Sequence, residues 1–405
     1  MMNPIKMLRF YFAVFRGKKV NIETVQKLGL LSVKIGQIMA LRPDLLGTDR
    51  CRQLQKLYQN ANSIKAESAR ELILQNAPAN FMENFSEFNL EPFAAASIGQ
   101  VHLARLNSGE EVVVKLLKSN FEKKFRRDVK QLKFWVKFGL FFRPKLKKVG
   151  NPLGFLAHIE DYTLRELDFL NEIKGQKELV SIQNELQKTF DMSLLKFPKM
   201  YEELSNSKAL VMEYIKDPTV SSLVKSQSIS WEHVLNLFRI HGAFMFGVGT
   251  FHGDLHPGNV MLSDDGKFTF IDTGAICYSP KRVSKSLFGF FFNLAKYQKK
   301  DAYDALLQMS DVPPTGEKLE EYYSEMTRLY DSFEGKSVSE VSLTQQMMGT
   351  VKTAVLAGCA FDETSFPIIR SLMYMDGLVL ETYPDVDLIT SMGPYLDEFL
   401  SLTNN

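Results

Sequence analysis

One short hairpin, set inside a long stretch of helical spacing, constrains this 405-residue chain more than any other feature. From residue 251 the chain reads FHGDLHPGNVMLSDDGKFTFIDTGA, in which VMLS and KFTFID are short strands around the turn Asp264-Asp265-Gly266. An aspartate stands on either side of that hairpin, Asp254 in the loop before it and Asp272 at its end. A second sheet-forming region lies upstream, where FNLEPFAAASIGQVHLARLNSGEEVVVKLLK alternates around Asn107-Ser108-Gly109. SKALVMEYIKD adds one more strand, ending at Asp217-Pro218. The rest has helical spacing: residues 1 to about 88, about 120 to 186 with interruptions at Pro144 and Pro152, and most of the chain beyond Pro218. A small sheet segment, a connecting strand and a larger helical segment with an inserted hairpin predict an α+β fold of two lobes. Nucleotide sites commonly lie between such lobes.

Charge and cysteine usage narrow the function classes. Lys and Arg number 49 against 47 Asp and Glu, so a dedicated nucleic-acid coat is not expected, and no recognised binding module accompanies the basic runs. Cys51, Cys277 and Cys359 are far apart and form neither a zinc set nor a disulfide framework, which favours a reducing cytoplasmic setting. The basic, aromatic N-terminus has no secretory pattern. The longest apolar stretches, LFGFFFNLA at 287–295 and the glycine-broken region at 241–251, are shorter than the roughly 20 residues a membrane helix needs. No transmembrane segment is expected.

Chemistry concentrates around the hairpin. Phosphoryl transfer from ATP needs a carboxylate at the attacking hydroxyl and oxygen ligands for Mg2+. In His252-Gly253-Asp254-Leu255-His256-Pro257-Gly258-Asn259, Asp254 and Asn259 have the spacing of a kinase catalytic loop. Asp254 is then the catalytic carboxylate, and Asn259 and Asp272 of Asp272-Thr273-Gly274 are the metal ligands. A turn cap at Asp254 or a strand end at Asp272 would explain either alone; both at this spacing favour chemistry. Lys115 of VVVK is the candidate for the nucleotide phosphates, although lysine also commonly ends a strand. Ala94, Ala95, Ala96, Ser97, Ile98, Gly99 and Gln100 stand where a Gly-rich loop would cover the phosphates. Alanine lets N–H groups approach an anion but does not reach positive φ as readily as glycine. Glu213, in the connecting strand, is counted with the nucleotide-contacting residues.

Taken together, AAASIGQVH at 94–102 and HGDLHPGN at 252–259 resemble the signatures of the UbiB-like atypical kinase family. Lys34-Ile35-Gly36-Gln37 is similar to its Lys-x-Gly-Gln motif, and Glu166-Leu167-Asp168 to its Glu-x-Asp motif, over a match from about 30 to about 280. The resemblance implies a bilobal protein-kinase-like fold: a helical extension over 1–88, an N-lobe over 89–215 and a mainly helical C-lobe over 216–405. It implies ATP and Mg2+, a Lys115–Glu172 pair, and a role in making an isoprenoid lipid of the ubiquinone type, with lipid-biosynthesis enzymes and a membrane surface as partners. It also implies that the motif helix with Lys34 and Gln37 lies across the substrate entrance, Lys34 reaching Glu166 and Asp168 as a gate. Family members often carry C-terminal transmembrane helices, which the residues to Asn405 lack, so peripheral contact is expected instead.

Spacing tests part of this. Asp168 and Glu172, four apart, would share a helix face and repel by a few tenths of a kcal/mol unless Lys115 or Lys34 lay opposite. Glu166 and Asp168 would stand about 200° apart on an ideal helix, so gripping one partner requires the helix to start or distort there. After Gly274 no Ala-Pro-Glu end of an activation segment appears, which lowers the case for a protein substrate. Lys6, Arg9, Arg16, Lys18 and Lys19 precede residue 20 without an acid, and 13 basic residues against Glu122 and Asp128 run from Lys115 to Lys148 among phenylalanines. Such segments suit an anionic membrane, at about 1 kcal/mol per basic residue near the surface, or are solvated helices with core aromatics. Two other functions remain open: a small-molecule phosphotransferase of the aminoglycoside or choline kinase type, and a nucleotide-gated non-catalytic scaffold. The Lys34 and Glu166 motifs argue against the first, and intact Lys115, Glu172, Asp254, Asn259 and Asp272 against the second.

Overall fold

Asn107-Ser108-Gly109 closes the first hairpin, with Gly109 at φ 95°, and sets Val101 opposite Lys115 and Arg105 opposite Glu111. The structure is a computed structural model that describes residues 3–17, 19–41, 46–59, 69–95, 98–118, 121–142, 152–331, 333–361 and 365–403. The chain forms two compact units, Met1–Ile173 with Lys199–Tyr214, and Lys174–Pro198 with Ile215–Asn405. The α+β class read from the sequence is observed.

The first unit holds an antiparallel five-stranded sheet. Phe85–Phe88, Gly99–Leu106, Glu111–Leu117 and Ala209–Glu213 follow in that order, and Ala94–Ala95 pairs with Gly99–Leu106. Two expectations are corrected here. Residues 85–88 are strand, drawn out of the helical pattern by pairing with Leu106, Arg105 and Ala104. The connecting strand stops at Glu213, short of Asp217, where the Tyr214 N–H donates to the Glu111 carbonyl at the end of the ladder. One sheet face packs Ala104, Val112, Val114, Leu116 and Val211 against Leu72 and Ile73.

The helices Pro4–Phe15, Ile22–Lys27, Leu30–Met39 and Thr48–Gln59 build a separate core in the same unit. Asn3 and Asn21 start the first two, their side chains accepting the Lys6 and Thr24 N–H groups at 2.9 Å. Val14, Val25, Leu31, Ile35 and Leu54 meet Phe125 and Val129 of Phe121–Phe142 and Ile159 of Pro152–Glu166. Phe125 is therefore core, while Phe134 and Phe138 of the same helix are exposed.

In the second unit the hairpin strands are Val260–Leu262 and Phe268–Phe270, turning at Gly266 with φ 79°. Leu195–Lys196 adds a parallel strand to Phe268–Phe270. Thr250–His252 pairs antiparallel with Ile276–Tyr278, so that a short ladder holds the two ends of the aspartate-bearing segment together. The helix Trp231–Gly242 widens into a π-helix over Ala243–Val248 and stops at Gly249. A side chain at Gly249 would strike the Ser279 carbonyl at 2.6 Å, and φ there is 84°. LFGFFFNLA lies in the helix Lys281–Ala295 with Leu287, Phe288, Phe290 and Phe291 buried, a core helix. The helix Ser365–Thr382 runs through the same core on Ile368, Leu372, Met375 and Val379. Among the described residues, no helix is long and apolar enough to cross a membrane.

Candidate active site

Each unit carries its own cluster. In the first, the middle of the strand Glu111–Leu117 presents Lys115, whose Nζ lies 2.5 Å from Glu172 Oε1. Glu172 sits in the first turn of the helix Leu170–Leu186, where a carboxylate is favoured by the helix dipole. The Lys115 side chain is 16% and the Glu172 side chain 5% exposed, so the pair is shielded from solvent.

Lys34, in the helix Leu30–Met39, forms a second ion pair with Glu166, at 12% and 18% exposure. The ammonium also stands 5.6 Å over the Tyr162 ring, one helical turn before Glu166. Gly36 and Gln37 face elsewhere. A Cβ on Gly36 would lie 2.6 Å from Leu57 Cδ1, and the Gln37 amide donates to the Leu57 carbonyl at 3.0 Å. The motif therefore divides its work: Lys34 meets the acid, while Gly36 and Gln37 dock the neighbouring helix Thr48–Gln59.

Asp168 corrects the helix-face expectation. The helix Pro152–Glu166 ends just before it, and the next begins at Leu170. The Phe169 N–H leaves the helical ladder for the Ser207 carbonyl at 3.0 Å, which breaks the run. Asp168 Oδ1 accepts the Leu170 N–H at 3.0 Å as an N-terminal cap, so Asp168 and Glu172 do not share a helix face.

The alanine-rich segment is strand where it is described. Ala94 and Ala95 pair with Val101 and Gln100, and the Ile98 carbonyl accepts the Lys118 N–H. Ala96 and Ser97 lie outside the described residues. Gly99 opens a strand, where a Cβ would meet the Leu116 carbonyl at 2.8 Å. Gln100 is buried and its side chain lies 3.3 Å from His102 Nε2. Glu213 uses its carboxylate to accept the Lys199 N–H and its own N–H to donate to the Lys199 carbonyl, so it ties the strand end.

The second cluster is built on the loop after Thr250–His252. The Asp254 N–H donates to His252 Nδ1 at 3.1 Å, and the Asp254 carbonyl accepts from Asn259 Nδ2 at 3.0 Å and the His256 N–H at 2.8 Å. Burial pushes the His252 imidazole below its ordinary pKa, over the opposing pull of the Asp272 and Asp254 carboxylates. With Nδ1 accepting the Asp254 N–H, a ring proton stands on Nε2. Gly253 admits no side chain: a Cβ would fall 2.1 Å from Cys277 Sγ and 3.1 Å from the Ala275 carbonyl. Asp272 Oδ1 accepts the Gly274 N–H at 3.4 Å. Gly175, in the helix Leu170–Leu186, lets the Thr273 carbonyl approach to where a Cβ would be 2.1 Å away.

Two residues of this cluster come from a part of the sequence that reads only as a generic helical lobe. Tyr374 donates its hydroxyl to Asp254 Oδ1 at 2.7 Å, and its ring meets His256 edge-on at 5.3 Å. Arg370, one turn earlier on the helix Ser365–Thr382, is buried beside Gly253 and Cys277. A tyrosine and an arginine in an apolar helix carry no sequence signal for a loop more than a hundred residues away.

The ABC1 atypical kinase-like domain matches residues 56–306. The chain is 27% identical over 400 residues to the "probable protein kinase UbiB" of Pseudomonas putida, covering 95% of this chain and 71% of that one. The protein of the same description from Pseudomonas entomophila is 27% identical over 403 residues, covering 96% and 72%. A solved structure described as the complex of Rv3197 with erythromycin from Mycobacterium tuberculosis shares the fold at a TM-score of 0.52 and 20% identity, over 87% of this chain and 91% of that one. With more than half its length inside the matched domain, the chain belongs to the ABC1 atypical kinase family and is a UbiB-like enzyme of the kinase-type phosphotransferase class.

Proposed function

We propose that this enzyme binds Mg-ATP and transfers the terminal phosphoryl group to a hydroxyl or to water, with Asp254 as the carboxylate that takes the acceptor's proton. The observation that carries the reading is the bond from Asn259 to the Asp254 carbonyl. It locks acid and amide into one loop and commits the amide nitrogen, which leaves the Asn259 oxygen for a cation. As an acceptor oxygen bonds to phosphorus, the bond to ADP breaks and the acceptor's proton passes to Asp254. Lys115, held by Glu172, offers its ammonium to the phosphates.

The donor set suits Mg2+. This ion takes one or two protein carboxylates and fills the rest of its octahedron with phosphate oxygens and water. Asp272 and Asn259 supply one carboxylate and one amide oxygen, and no group of three or more His, Cys, Asp or Glu side chains forms a metal cage among the described residues. Bound there, Mg2+ would neutralise charge building on the phosphates. The Lys34–Glu166 pair supports the Lys34 helix as a gate. Family likeness supports service to an isoprenoid lipid of the ubiquinone type.

A peripheral membrane site rests on a separate observation. The helix Pro4–Phe15 exposes Ile5, Leu8, Tyr11, Phe12 and Phe15, with Arg9 and Arg16 also exposed. An apolar stripe flanked by cations favours an anionic lipid surface.

Turnover of Mg-ATP by the purified full chain, with and without anionic liposomes and an isoprenoid phenol, tests the reading. Asp254→Asn should lower kcat by about a hundredfold or more, as loss of a general base does, and leave calorimetric Mg-ATP affinity unchanged. Wild-type turnover in that variant would remove Asp254 from the mechanism.

A further inference from the structure

Tyr374 stands in a relation to Asp254 that phosphoryl transfer reserves for the acceptor. A general base and the hydroxyl it serves lie about 2.6–3.2 Å apart, with the O–H aimed at the carboxylate. The Tyr374 hydroxyl donates to Asp254 Oδ1 at 2.7 Å. We propose that Tyr374 is a resident surrogate for the acceptor hydroxyl, which keeps water off this carboxylate oxygen until an acceptor displaces it. The inference rests on the reading of Asp254 as the proton-accepting carboxylate.

Three observations favour a surrogate over a brace. Asp254 is already fixed through its backbone, by His252 Nδ1 on its N–H and by Asn259 Nδ2 and the His256 N–H on its carbonyl. The phenol hydroxyl donates to the carboxylate, the part that must react. The helix carrying it cannot retreat easily. Asp376 accepts bonds from the Ser342 hydroxyl and from the Leu343 and Thr344 N–H groups, Ser371 Oγ lies 2.7 Å from His241 Nε2, and Leu372 and Met375 are in the core. Displacement then falls to the torsions of a half-buried side chain, a rotation faster and smaller than any helix shift.

The same geometry describes the acceptor. Whatever replaces Tyr374 must bring a hydroxyl to Asp254 Oδ1 and a flat apolar body to stand edge-on to His256, where the ring centroids are now 5.3 Å apart. A phenol or another hydroxyl on a flat apolar ring meets both demands. Water meets only the first.

Tyr374→Phe in the full chain keeps the ring against His256 and removes the hydroxyl. Mg-ATP hydrolysis without added acceptor should rise by on the order of tenfold, the scale on which losing a hydrogen bond to a charged group acts, with the thermal melt and nucleotide affinity unchanged. Tyr374→Ala should show the same rise, and p-cresol, the tyrosine side chain as a free molecule, should suppress it or become phosphorylated. A fall in hydrolysis with Tyr374→Phe would make the residue a brace for Asp254, and no change would make the contact incidental; either overturns the proposal. So would phosphate on Tyr374 after incubation with Mg-ATP, read by mass spectrometry, since the residue would then be a substrate. An Asp254→Asn protein as active as the unmodified chain would remove the mechanism itself, a result separate from a failure of Tyr374→Phe alone.

Discussion

The two units hold their carboxylates by different means. In the first, Glu172 faces the Lys115 ammonium and Glu166 faces that of Lys34. In the second, the Tyr374 phenol reaches Asp254 and a backbone N–H reaches Asp272. An ion pair neutralises its acid and fixes the position of a cation, so the first unit's arrangement serves to place charge. A neutral donor orients an acid while leaving its charge in force, which is what a metal ion or an acceptor proton needs. The ion pairs should therefore weigh on stability, and the donors to Asp254 and Asp272 on the proposed chemistry.

The contrast can be broken most sharply at Glu172. Glu172→Ala removes the carboxylate that faces the shielded Lys115 ammonium, and should destabilise the chain by about 3–5 kcal/mol in denaturant melts. Lys115→Met combined with Glu172→Leu should regain most of that stability without regaining nucleotide binding. A loss below about 1 kcal/mol would show that the pair behaves as a surface bridge and that the units do not differ in this way. In the second unit, Asp272→Asn should leave the melt unchanged and weaken Mg-ATP binding by roughly tenfold, about 1.4 kcal/mol, in calorimetry. Equal affinity would take Asp272 out of the metal site. The smallest effect belongs to Lys34 and Glu166. Alanine at each and at both should give a coupling energy above about 0.5 kcal/mol, and additive changes would mean that the motif helix is only a packing element.

How much of this was legible in the sequence depends on the distance over which each residue acts. The hairpin strands at 260–262 and 268–270 announce themselves through local alternation and the turn at Gly266, and Lys34 and Glu166 meet as their motifs imply. Asp168 defeated the expectation of a helix face shared with Glu172 because the helix ends at Glu166, and the cause is a bond from Phe169 to Ser207, distant in sequence. Gln37 and Gln100 stand in motifs yet turn toward Leu57 and His102, since a motif fixes residue type and says little about which face it occupies. Tyr374 was invisible for the plainest reason. An aromatic at helical spacing in an apolar helix reads as core, and only the path of the chain brings it to Asp254.

The ABC1 domain match spans residues 56–306, and the helix Ser365–Thr382 lies wholly outside it, as does the helix Leu30–Met39. A fragment trimmed to the matched span would retain Glu166 and Asp254 and lose the residue that each one grips, Lys34 and Tyr374. It would also expose Phe290 and Phe291, whose neighbours in the core continue to Leu402. The boundary of the matched domain and the boundary of the working molecule are thus different lines on this chain. The first encloses the acids, and the second also encloses what restrains them.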